Sequence, residues 1–228
     1  MYFDATYILV IIGALLSMWA SARVNGTYRK YAAVRSRANI SGAQAAQQIL
    51  HGAGIYDVRI EHISGNLTDH YDPRSKVLRL SDSVYGSTSV AAIGVAAHEC
   101  GHAIQDNVSY APLKIRNSFV PVANIGTKAA FPIILLGLVF GSSYTLIQIG
   151  LICFALGTLF QLITLPVEFN ASARAIDILG NTHMLSGDEL SLTKKVLSAA
   201  AMTYVAAAAA SILSLLRLLF LFGGRRRD

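Results

Sequence analysis

His98 and His102 stand four residues apart in "VAAHECGHAIQ", with Glu99 beside the first of them. A helix turns once in about 3.6 residues, so positions i and i+4 lie one above the other on one face. Small apolar residues precede the histidines and no proline follows until Pro112, so the sequence predicts a helix over 90–105. Such a helix aims both imidazoles at one spot, while Glu99, about 100° round, leans towards it. Two nitrogen ligands and a carboxylate beside an open coordination position are what metal-assisted hydrolysis needs. The competing reading is a chance cluster of polar residues on a surface helix. Gly101 costs such a helix roughly 1 kcal/mol relative to alanine, which is easier to explain if something packs closely against that turn. Cys100 falls on the opposite side of the helix and makes a poor ligand.

Two histidines do not hold a catalytic zinc, which takes three protein ligands and leaves a fourth position for water. His51, His62, His70, Glu61, Glu168, Asp177, His183, Asp188 and Glu189 are all candidates for the third. Glu168 stands out by position. It follows Pro166, a favourable first-turn residue, and is expected to open a helix, "PVEFNASARAIDILG", directly after a membrane span. A carboxylate there is either a solvated charge at headgroup level or a ligand.

The elements that must position these groups lie in a membrane protein. Of 228 residues, 54% are hydrophobic and only 14% charged, against about a quarter charged in soluble domains. The length allows a few spanning helices and one small catalytic unit. The net charge of +6 gathers in Arg23, Arg29, Lys30, Arg35 and Arg37 and in the final "GRRRD". These clusters flank apolar runs, as membrane-flanking charges do, and speak against a nucleic-acid surface. Cys100 lies in the histidine motif and Cys153 in an apolar run, which makes a structural disulfide improbable.

Residues 1–22 form a first transmembrane helix. Its basic residues all follow it, which puts the N-terminus outside and the next segment in the cytoplasm. Residues 23–118 are the most polar and carry the catalytic α+β region. There "SGAQAAQQILHGAG" is a helix capped by Ser41 and stopped by Gly52 or Gly54, while "DVRIEHIS" and "KVLRLS" alternate as short strands. "GNLTDHYDPRS" between them is rich in turn residues. "KVLRLS" is either an edge that pairs with extended substrate or an ordinary internal strand. No charge occurs over 129–167, and Gly141, Ser142 and Ser143 break that run, so 119–166 is a transmembrane hairpin with helices over roughly 119–140 and 144–165. Residues 167–195 hold the helix with Glu168. Residues 196–228 are a spanning or membrane-associated helix with a basic tail, and a span there would carry "RRRD" outward, against the positive-inside bias. The expected class is a mainly α membrane protein with a small α+β zincin-like unit and three to four transmembrane helices.

"VAAHECGHAIQ", "PVEFNASARA" and "AMTYVAAAAASIL", with "TDHYDP", "LSDSVY" and the membrane runs, resemble the bacterial YugP-like membrane zinc metallopeptidases. These are similar to the membrane gluzincins, whose motif reads A-H-E-x-G-H with a later helical glutamate. The resemblance covers nearly the whole chain and implies His98, His102 and Glu168 as zinc ligands with Glu99 as general base. Where many gluzincins carry an aspartate that holds a ligand histidine, this chain has Ser172; Asn170 or a backbone carbonyl is then expected to orient the imidazoles. The expected activity is hydrolysis of peptide bonds in membrane or membrane-adjacent proteins by a multi-pass protein of the cell membrane whose catalytic region faces the cytoplasm. The alternatives are another zinc hydrolase or a non-catalytic scaffold with a structural zinc. Tyr204, Arg174, His70 and His183 are candidate oxyanion donors, Tyr204 preferred because it stands among alanines that let helices approach. Two imidazoles and a carboxylate suit zinc and would accept cobalt or manganese. The expected partners are a protein substrate and the bilayer, with no nucleic acid.

Overall fold

The computed structural model describes residues 4–141 and 143–223. Its elements in chain order are α1 (Tyr7–Ala32), α2 (Gly42–Gly52), β1 (Arg59–Ile63), β2 (His70–Asp72), β3 (Val77–Ser81), α3 (Val90–Asn107), α4 (Ala111–Val139), α5 (Tyr144–Asn181) and α6 (Gly187–Phe222). The protein is a mainly α membrane protein, and its contacts divide it into two compact units.

One unit comprises residues 22–113 and 167–202. Ser41 caps α2 as the sequence predicts: its hydroxyl accepts from the Gln44 amide, and the Gln44 side chain accepts from the Ser41 amide. Such a reciprocal cap satisfies two N–H groups that the first turn leaves open. Ser89 caps α3 in a similar way, accepting from the Ala92 amide. The sheet order is β1-β3-β2, with β1 parallel and β2 antiparallel to β3. β3 is therefore the central strand, its side chains almost wholly buried, and not an edge on which substrate could pair. β2 was not legible as a strand: "DHYD" lies among turn residues, and its pairing with β3 comes from outside the segment. Asp69 holds the start of β2 to the end of β3 by accepting from the amide and hydroxyl of Ser81 at 2.8 and 2.9 Å. Asp106, near the end of α3, accepts from the Tyr71 hydroxyl at 2.9 Å and from Lys76 Nζ at 3.0 Å, which ties the histidine helix to the sheet. Leu50, Leu78, Leu80, Ile93, Leu179 and Val196 fill the core beneath.

The other unit comprises residues 1–21, 114–166 and 203–228. α1, α4, α5 and α6 are each long and apolar enough to cross a bilayer, which gives four candidate spans. Large apolar side chains such as Ile8, Leu135, Phe140, Ile152 and Phe220 point outward, as lipid-facing residues do. Ile134, Ile147, Leu151 and Leu218 pack together inside. Arg217, which interrupts the last apolar run, lies over the Tyr7 ring at 4.0 Å from its centroid. The basic tail that bears on the direction of the last helix lies outside the described residues.

α5 runs unbroken through Pro166. Glu168 thus does not open a new helix after the membrane run; the apolar run and the segment with Glu168 are one helix. α3 meets α5 at Gly101, where a Cβ would lie 2.6 Å from the Ala171 carbonyl oxygen and 3.1 Å from its Cα. Backbone fills the space a side chain needs, and that explains the helix-weakening glycine inside α3. Alanine at position 101 would gain roughly 1 kcal/mol of helix propensity, but the obstacle is main chain that cannot turn aside. Overpacking of this kind costs typically 1–3 kcal/mol, so Gly101→Ala is expected to lower the thermal midpoint in detergent. An unchanged or raised midpoint would show that the contact is looser than described.

Candidate metal centre

α3 brings His98 and His102 to one face, their rings edge to face with centroids 4.8 Å apart. α5, docked at Gly101, brings in Glu168, only 2% exposed. One ligand atom from each of the three residues lies within 4.8 Å of the others. Of the candidates for a third ligand, Glu168 alone joins the pair among the described residues. His62 pairs instead with Asp82 at 2.7 Å, while Asp188 and Glu189 bind Arg37.

The two separations from Glu168 fit a tetrahedral cation. Glu168 Oε2 lies 3.4 Å from His98 Nε2 and 3.6 Å from His102 Nε2. Ligands at about 2.0–2.2 Å from a tetrahedral zinc stand roughly 3.4 Å from one another. Two neutral nitrogens and one carboxylate oxygen are also a donor set that zinc takes. Electrostatics agree: burial presses the His102 imidazole towards its neutral form, but the Glu168 and Glu99 carboxylates outweigh it and raise its pKa.

Each imidazole is gripped through its other nitrogen. His98 Nδ1 lies 3.0 Å from Ser172 Oγ, and His102 Nδ1 lies 3.0 Å from Gln105 Oε1. Asn170, which the sequence suggests as an imidazole partner, stands instead one step behind, accepting from Gln105 Nε2 at 3.0 Å. Ser172 meets the need for a partner at the very position where the aspartate is missing. Gln105 escaped the sequence reading, although it lies three residues beyond His102 on the same helix, a spacing that puts two side chains within reach.

Glu99 is nearly buried beside the cluster. Cys100 is fully buried on the other side of α3, its thiol turned to the Ala46 carbonyl at 3.6 Å and pushed up in pKa by burial. Arg174 donates from Nε to Asn170 Oδ1 at 2.8 Å. His70 and His183 are exposed, one on β2 and one in the turn after α5. Tyr204 is half-buried on α6, within the membrane unit.

Comparison with known proteins places this cluster in a wider group. Residues 6–223 match the family described as "Putative neutral zinc metallopeptidase". The chain is 46% identical over 217 residues, 95% of its own length and 96% of the relative's, to "Putative membrane protease YugP" of Bacillus subtilis (strain 168). No solved structure matches it. With a family match running from the first span to the last, over the histidine helix and the glutamate helix alike, the chain belongs to this family of neutral zinc metallopeptidases.

Proposed function

We propose that the protein is a membrane-embedded zinc endopeptidase, with His98, His102 and Glu168 as the metal ligands and Glu99 as general base. The observation that carries this reading is the convergence of two imidazole nitrogens and a buried carboxylate oxygen at tetrahedral spacing, with a further acid next to the first histidine. A zinc ion held there would supply Lewis acidity, polarising a carbonyl and bringing the pKa of water down towards about 7. Glu99 takes the proton of the attacking water and delivers it to the leaving nitrogen. A structural metal site has no use for that acid, which sets the peptidase above a scaffold. Tyr204 is proposed to donate its hydroxyl to the developing oxyanion. The basic residues after the first apolar run favour a catalytic unit on the cytoplasmic side, where membrane-associated proteins are the substrates.

Metal content and cleavage of casein or a membrane protein separate the roles. Glu99→Gln is expected to keep its zinc and lose about 10²–10⁴-fold in rate, while Glu168→Gln loses both metal and activity. Zinc held by wild type and Glu99→Gln alike, with neither cleaving anything, would favour the scaffold. Tyr204→Phe removes one oxyanion donor and is expected to lower kcat by about 10²–10³-fold with zinc retained; full activity would end that assignment.

A further inference from the structure

We propose that Arg174 is a positioning residue for metal binding, acting on His102 through Asn170 and Gln105. The proposal rests on the reading of this site as one for a divalent metal. Four hydrogen bonds make up the path. Arg174 Nε donates to Asn170 Oδ1 at 2.8 Å, and Gln105 Nε2 donates to the same oxygen at 3.0 Å and to the Val167 carbonyl at 2.9 Å. Gln105 Oε1 then faces His102 Nδ1 at 3.0 Å.

The path has a direction. A carboxamide can turn end for end, so something must decide which end faces the imidazole. The Val167 carbonyl only accepts, which calls the Gln105 nitrogen to its own side and leaves Oε1 for His102. Because Oε1 only accepts, His102 must carry its proton on Nδ1, and its Nε2 lone pair is left for the metal. A turned Gln105 would favour the opposite tautomer, protonated on the nitrogen the metal needs. Asn170 has the same ambiguity. Its oxygen faces Gln105 because a guanidinium, which only donates, approaches from the other side. Ser172, by contrast, has a hydroxyl that donates or accepts and imposes no such choice on His98. Gln105 is fully buried, so no water can substitute for a missing partner without entering the core.

Arg174 also lies near the Tyr110 ring, its Cζ 5.9 Å from the centroid. A packing role there and a polarity role through Asn170 predict different couplings. The full-length protein in detergent, stripped of metal and titrated with Zn²⁺ against a chromophoric chelator, distinguishes them. Gln105→Leu is expected to weaken zinc by about 10–100-fold. Arg174→Met should weaken it by roughly three- to tenfold, a smaller loss because the Val167 carbonyl still holds the amide. The double variant should bind no more weakly than Gln105→Leu alone, because both changes cut one path. Should Gln105→Leu fail to fold, Asn170→Leu takes its place in the cycle with the same expectation. Losses that multiply in the double variant, or an Arg174→Met that binds as wild type does, overturn the proposal while leaving the metal site intact. A folded wild type that takes up no zinc overturns both.

Discussion

The candidate metal cluster depends on one close approach of main chain to main chain. Glu168 belongs to a helix far along the chain from the histidines, and a carboxylate reaches two imidazoles only if the helix axes come near enough. Gly101, two residues past Glu99 and one before His102, gives α5 that room by presenting bare backbone to Ala171. The glutamate lies three residues before this contact and Ser172 one residue after it, so a single seat aligns both the carboxylate and the hydroxyl that steadies His98. Gly94 repeats the device a little earlier in α3, where a Cβ would meet the Thr193 methyl at 2.5 Å. α3 is thus received by α5 at one turn and by α6 at another.

The groups around the His98 and His102 imidazoles are neutral where they touch the rings. A hydroxyl and a carboxamide hold the imidazoles, and the Arg174 guanidinium stands three hydrogen bonds away from His102. The negative charge of the site therefore comes from Glu168 and Glu99 themselves. That arrangement orients the rings by geometry and adds no third anion, whose burial would cost several kcal/mol of desolvation without a partner.

Local geometry made the histidine helix legible, because i and i+4 share a face whatever the rest of the fold does. The capped α2 and the apolar runs were legible for the same reason. Glu168 could be read only as the best placed of nine candidates, since the sequence holds no measure of which distant carboxylate returns to α3. The strands show the limit from the other side. "KVLRLS" announces its period but not its neighbours, and β2 becomes a strand only because β3 lies beside it. Pro166 reads as a beginning, yet α5 accommodates it inside a continuous helix. The imidazole partners were misread because Asn170 or a backbone carbonyl was expected in the place that Ser172 and Gln105 fill.

Cys100 sits between His98 and His102 in sequence, yet its sulfur looks away to the Ala46 carbonyl and stays protonated in the core. Among the described residues the cluster thus presents nitrogen and oxygen donors and no sulfur. Thiophilic ions such as monovalent copper, which bind most tightly where sulfur is offered, find little hold there, whereas borderline and harder divalent ions do. A pentapeptide that could have made a trap for soft metals is turned, by one side chain's direction, into a seat that discriminates against them.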